Sequence, residues 1–588
     1  MELGTGNQHR PDKGRLYYAW YYLLVDLPYW FRVSAQGWFD LCFVKASDCE
    51  DIVGGFGCLT DRLLSMINFP FVVDVPSPAP GFASESSRGS ARESSRGSAP
   101  RARESSRGSA PRATYEFKFH SFMADMKALQ QMLGLKPSGA YKCCGLCANI
   151  LGRILPADVP PGGYMQHYSC GDTSLWDEWT HERFQDACAE LARAFGESAE
   201  RGQQLETQLG IYYNGGVGVA FGCNAALCRV PETMFLDAQH CIWASGGVAQ
   251  FELNQLLCEA ETRGVELAAV QEFLQLVVPA GGKRWTRDLA ARVVRDDKAH
   301  MRAFASEMLL LTSIMVAFAD AALEEVMPAH VATLRFLYTV QVMVFLGDGV
   351  LAHLRLLDEI LAAHHDLFLA LYDDCAKPKL HDMRHLAKLF HQFQKNINCF
   401  SAERHHKTSK QVAARCFKEM TTSLLRRSLW TFFQEFEKPL TFHSVRAVKP
   451  ARLRYTAAHM SRHVLRDFGL RGFARSRELR TQGRTVVKGD FVLYKRGCDP
   501  PGVGGGLAWE AGVAIDFWTT QDGGNRDYYM VTQRHDFARE VTATTWEYKR
   551  SLAKAAVHHA RILHCAPYFD VGDGVRVVLP LYARQLFS

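Results

Sequence analysis

Aromatic and aliphatic residues alternate with polar ones from Leu16 to Val25 and again from Trp38 to Val44, which predicts two strands around the Asp26-Leu-Pro28 turn. Between Gly54 and Asn68 the spacing becomes helical, through Phe56, Leu59, Leu63, Leu64 and Ile67. A third alternating run, Tyr115 to Asp125, leads straight into a helix over Met126–Leu135. Asp125 therefore ends a strand, where α/β sheets present catalytic groups, but a helix-capping Asp fits the same position. From 251 to 375 the apolar positions keep helical spacing, through Leu309, Leu310, Ile314 and Phe318 and then Leu351, Leu354, Leu357 and Ile360. Beyond Val486 the texture changes to short strands at Val486–Tyr494, Ala511–Trp518, Asp527–Thr532 and Gly574–Pro580. Their spacing and Gly-rich turns predict a small β-barrel.

Low complexity interrupts this pattern at residues 81–113. The unit Arg-Glu-Ser-Ser-Arg-Gly-Ser-Ala occupies 92–99 and 103–110, with a near copy at 85–91. Such Ser/Arg/Gly repeats cannot bury apolar surface, so a disordered loop insertion is expected there. The whole chain of 588 residues is 47% apolar and 11% aromatic, enough for several cores. No window reaches about 18 uncharged apolar residues, and no apolar stretch follows the charged N-terminus, so neither a membrane partner nor secretion is expected. Seventeen irregularly spaced Cys fit reduced thiols in a nuclear or cytoplasmic protein. The net charge of +6 becomes informative only through its distribution.

Two segments carry candidate chemistry. Cys144-Gly-Leu-Cys147 and His167-Tyr-Ser-Cys170 give a C-x-x-C…H-x-x-C set. One tetrahedral zinc could take Cys144, Cys147, His167 and Cys170, with reduced surface thiols as the alternative. Farther on, Glu403 opens a basic helix bearing Arg404, Lys407, Lys410, Arg415 and Lys418, followed by Arg426 and Arg427. An acid there can hold a divalent cation beside nucleic-acid phosphates, or simply complement the helix dipole. His381 and His385 share a helix face, but the Glu of the H-E-x-x-H zinc pattern is absent, and they read as surface or core histidines. The Gly-rich run Tyr213–Gly222 lacks the Lys-Ser/Thr of a P-loop, and Asp237 fits either a structural or a metal-neighbouring role.

The order of these motifs resembles DDE-type transposases of the CACTA and Plavaka/KDZ kind. The match runs through Val-Asp-Leu-Pro28-Tyr-Trp-Phe-Arg, Asp125 before the Cys144/Cys147 knuckle, Leu236-Asp237-Ala-Gln-His240, and Lys377-Pro-Lys-Leu-His381…Ser401-Ala-Glu403-Arg. It spans residues 16–430. The resemblance implies an α/β, RNase H-like core interrupted by a large all-helical insertion and followed by a C-terminal small β-barrel. The expected divisions are core at 1–80 and 114–142, the repeat at 81–113, a zinc-knuckle and strand-rich insertion at 143–250, and helices at 251–376. Residues 377–480 would carry the third acid and a basic region, and 481–588 the barrel. Asp125 and Glu403 would be the second and third catalytic acids, using Mg²⁺ or Mn²⁺ for strand cleavage and transfer, with structural Zn²⁺ in the knuckle. Double-stranded DNA is the expected partner, with room for a homo-oligomer. The family's first acid should precede the Leu-Pro turn, where only Asp12 stands, poorly spaced. The chain is accordingly expected to be an N-terminally truncated or inactive relative that binds DNA with little cleavage. A non-catalytic nuclear DNA- or chromatin-binding protein with a zinc knuckle and a β-barrel is the alternative.

Overall fold

The computed structural model describes chiefly residues 16–50, 55–67, 119–152, 163–213, 229–244, 246–280, 285–295, 299–414, 420–436 and 473–587, the last with short gaps. Short strands at 2–4, 71–74, 112–115, 445–447 and 451–452 and the isolated residues 52, 158 and 159 complete it. The Ser/Arg/Gly units of 85–110, the basic residues Arg415 and Lys418, and most of 437–472 lie outside the described residues.

The N-terminal alternation forms the antiparallel strands Leu16–Leu23 and Trp38–Lys45, paired from Tyr17↔Lys45 to Leu23↔Trp38. One face of this hairpin carries Tyr17, Ala19 and Phe43, which pack on Met420 and Leu424 of the helix Met420–Phe436. The Leu-Pro turn is fastened from outside: Arg32 donates to the Leu27 carbonyl at 2.9 Å and forms an ion pair with Asp348. Asp348 also accepts from the Asn396 backbone N–H at 3.1 Å, so the turn is tied to the segment entering the helix Phe400–Ala413.

The run expected as one strand from Tyr115 to Asp125 divides. Arg112–Tyr115 pairs with Phe71–Asp74, and Phe122–Ala124 pairs in parallel with Met234–Leu236 in the register Phe122↔Met234 to Ala124↔Leu236. The following helix, Met126–Leu133, buries Leu129 and Leu133 one turn apart and ends at Gly134 in the left-handed region, where lack of a Cβ removes the strain. The parallel pair and the hairpin belong to separate small sheets.

The helical block expected at 251–375 is present as Val248–Thr262, Leu267–Leu276, Ala305–Ala322, Pro328–Phe345 and Leu354–Tyr372. Ala305–Ala322 is long and apolar enough to cross a membrane. Here it is a core helix, burying Met308 and Leu311 through Ala319 against its neighbours and the C-terminal sheet. That sheet has nine strands, all paired antiparallel, and occupies the region where a barrel was expected. Buried Asp320 locks it to the helices. Its Oδ2 accepts hydroxyl bonds from Thr542, Thr544 and Thr545 at 2.5, 2.5 and 2.7 Å, while Arg335 Nε donates to Oδ1 at 2.8 Å.

Candidate metal centre and acidic site

Two sites lie between the parallel strands and the helices of 378–413. The first is built from ends of the chain that are far apart in sequence. Cys144 and Cys147 stand in the loop after the Met126–Leu133 helix; His381 and His385 lie on and just after the helix Pro378–Arg384. Proline at the first helical position starts that helix, and spacing of four residues puts both imidazoles on one face. All four residues are buried, and one ligand atom from each falls within 4.8 Å of the others.

The spacing is that of a coordination polyhedron. His385 Nε2 lies 3.6 Å from Cys144 Sγ, 3.5 Å from Cys147 Sγ and 3.0 Å from His381 Nε2. Tetrahedral zinc, with bonds of about 2.3 Å to sulfur and about 2.0–2.1 Å to nitrogen, requires S···N edges of roughly 3.5–3.6 Å and an N···N edge of roughly 3.3 Å. Both sulfur edges to His385 already match, and the imidazole pair would open by about 0.3 Å. Trp176 walls the site, its ring 4.2 Å from that of His381 and 5.0 Å from that of His385. Burial alone would raise the Cys144 thiol, but the Cys147 hydrogen bond and the two imidazoles bring it well below its ordinary range. Burial lowers the His381 imidazole, which favours the neutral ring a metal needs. This Cys₂His₂ group could hold a metal such as zinc.

The cluster revises the ligand set expected from sequence. Cys144 and Cys147 are brought together, but their companions are His381 and His385, which had been read as non-ligating. His167 Nδ1 instead bonds the Ser169 hydroxyl at 2.7 Å, and Cys170 Sγ points to the Asp172 carbonyl at 3.7 Å. A Cys-x-x-Cys pair can be completed as readily by a distant His-x-x-x-His as by a nearby His-x-x-Cys. Only the fold decides between them.

The second site is acidic. Asp125 follows Ala124 and Asp237 follows Leu236, and these two residues are partners in the parallel ladder, so both acids leave the same end of adjacent strands. Asp125 caps its helix, accepting from the Ala128 N–H at 2.8 Å through Oδ1. The capping role is thus real, and it uses one of two carboxylate oxygens. Asp237 caps the short helix Ala238–Ile242 and is completely buried. Its Oδ2 faces His240 Nδ1 at 2.5 Å, and its Oδ1 accepts from the Cys399 N–H at 2.8 Å. Glu403, in the first turn of Phe400–Ala413, brings Oε1 to 4.0 Å from His240 Nε2. Burial would lower the His240 imidazole, but the Asp237 hydrogen bond and the charges of Asp237, Asp125 and Glu403 together raise it. The same three carboxylates add to burial in raising the Cys399 thiol. Sequence reasoning left Asp237 undecided and missed His240 and Cys399. The Asp-x-x-His spacing was the available signal.

The basic residues divide. Arg404 gives its guanidinium to the Val33 carbonyl at 2.6 Å and the Ser401 hydroxyl at 3.0 Å, holding its helix to the loop after the Leu-Pro turn. Lys407, Lys410, Arg426 and Arg427 are exposed. His405 anchors the same helix by reaching buried Asp40 at 2.9 Å and the Ala35 carbonyl at 3.0 Å. No protein-family model matches this chain, and no curated protein matches it.

Proposed function

We propose that the protein is a metal-dependent DNA strand-cleaving and strand-transferring enzyme of the DDE type, with Asp125, Asp237 and Glu403 as its acids. The observation that carries this reading is the parallel register Ala124↔Leu236, which sends Asp125 and Asp237 from neighbouring strand ends toward the helix bearing Glu403. Carboxylates remote in sequence must converge in this way to hold the divalent cations that clamp the attacking and leaving oxygens of an in-line phosphoryl transfer. In this reading Asp237 takes the role of the acid sought before the Leu-Pro turn, and the chain is proposed to be active. The parallel pair, with the hairpin of 16–45 packed beside it, is read as a reduced RNase H-like core, and the C-terminal sheet as an opened barrel.

Mg²⁺ or Mn²⁺ would supply Lewis-acid charge at Asp125, Asp237 and Glu403. The chain's own groups supply the rest. His240, with Nδ1 at 2.5 Å from Asp237 Oδ2 and Nε2 at 4.0 Å from Glu403 Oε1, stands between these two acids and orients Asp237. Lys407, Lys410, Arg426 and Arg427 would receive the phosphate backbone of duplex DNA. The Cys₂His₂ group, filled by zinc, joins the loop after Asp125 to the helices leading into Glu403, and so fixes the two acids relative to one another. Incubation of supercoiled plasmid with the protein and Mn²⁺ tests the reading. Nicking by the wild type, lost on Asp237→Asn and on Glu403→Gln, is expected. Nicking that survives both substitutions would refute the assignment, and failure of folded wild type to cut, with one zinc bound and no free zinc in the buffer, would favour the non-catalytic DNA-binding alternative.

A further inference from the structure

We infer that Asp237, His240 and Cys399 form a second transition-metal site, selective for zinc-like cations and sharing Asp237 with the acidic site. One ligand atom from each of the three lies within 4.8 Å of the others. Cys399 and Asp237 are buried, and the His240 side chain is 14% exposed, so the group is almost closed from water. Backbone holds the shared carboxylate from both sides. The Cys399 N–H holds Asp237 Oδ1, and the His240 N–H donates to Asp237 Oδ2 at 3.1 Å.

The donor set decides which cation is taken. One thiolate, one imidazole and one carboxylate suit Zn²⁺, Co²⁺ or Cd²⁺, whereas Mg²⁺ needs six oxygen ligands in octahedral array. On binding, Cys399 gives its thiol proton to solvent, and the cation displaces the proton held between His240 Nδ1 and Asp237 Oδ2. That 2.5 Å contact then opens to the roughly 3.4 Å edge of a tetrahedral site. Glu403, whose Oε1 lies 4.0 Å from His240 Nε2, stands on the other side of the imidazole ring. A zinc-like ion here takes Asp237 from the acidic site. Under the proposed function, added zinc therefore inhibits cleavage.

Binding itself does not rest on that function, and it is measured without DNA. Wild-type protein and Cys399→Ser are titrated with Co²⁺ and compared as a difference spectrum, which cancels the Cys144/Cys147 site. A near-ultraviolet thiolate-to-cobalt band in the wild-type-minus-variant difference, saturating at one equivalent, is the expected result. Equal bands in the two proteins would overturn the inference, as would none in either. Should Cys399→Ser fail to fold, His240→Gln serves instead. Its Co²⁺ affinity should fall more than ~10-fold, and an unchanged affinity would equally overturn the site. In Cys399→Ser, loss of the cobalt site with plasmid nicking intact supports a metal site separable from the acid assignment, and an undiminished cobalt site in that variant overturns the inference whatever the nicking.

Discussion

Replacing His385 with Ala should cost the protein most of its zinc and a large part of its stability. His385 Nε2 sits at the centre of the cluster, within 3.6 Å of Cys144, Cys147 and His381. Structural Cys/His sites bind zinc with about 10–16 kcal/mol in zinc-finger peptides, so one ligand of four accounts for about 2.5–4 kcal/mol, or roughly two to three orders of magnitude in affinity. Because zinc binds only the folded chain, saturating zinc passes that loss on to folding stability. The span makes the effect wide: Cys144 and His385 are 241 residues apart, so the ion ties the loop after Asp125 to the approach to Glu403. Bound metal would be measured by elemental analysis after competition with a chromophoric chelator, and unfolding by thermal melts with and without EDTA. Wild type should hold one zinc at this cluster against the chromophoric chelator, besides any zinc taken by Asp237, His240 and Cys399, and melt lower in EDTA, while His385→Ala should melt low in both. His167→Ala and Cys170→Ser should keep the metal. Wild-type zinc affinity in His385→Ala, or zinc lost on substituting His167 or Cys170, would refute the Cys₂His₂ assignment.

Other consequences are as direct. Burial holds the His365 imidazole near pKa 3, against an ordinary value of 6.5, so the unfolded chain binds the extra proton first and stability falls as pH drops below about 6.5. Between pH 7 and 5 this amounts to about 2 kcal/mol, and His365→Gln should flatten the acid limb of a denaturant-melt series by that amount. Asp320→Ala leaves Arg335 with Glu324 as its remaining carboxylate partner but strands three threonine hydroxyls, and should destabilise the protein by about 2–3 kcal/mol in urea titrations. An effect below about 1 kcal/mol would show that the lock is dispensable. Arg426→Ala with Arg427→Ala should weaken duplex DNA binding and reduce the salt slope by about one unit per lost phosphate contact. An unchanged slope would move the DNA interface elsewhere.

Much of the framework was legible from periodicity, and the sites only in part. The hairpin of 16–45 and the helices of 248–372 follow from runs long enough for period two or 3.6 to be unambiguous. The parallel pair was hidden because its strands are three residues each and their partners lie far apart. The strand Thr545–His558 was missed because Lys549 to Ala556 breaks the alternation that Trp546 and Tyr548 begin. Cys144, Cys147, Asp125 and Glu403 announced themselves by type and setting. His381 and His385 were visible as a pair, but what made them ligands was burial against two thiols more than two hundred residues upstream. Asp237 could be weighed only once its strand was placed beside that of Asp125.

The acid set itself is tested most directly by the position of a bound cation. Crystals soaked in Mn²⁺ should show anomalous density within about 2.0–2.6 Å of carboxylate oxygens from Asp125, Asp237 and Glu403 together. Density touching Asp237 alone of the three, or none at this end of the parallel strands, would contradict a shared metal centre.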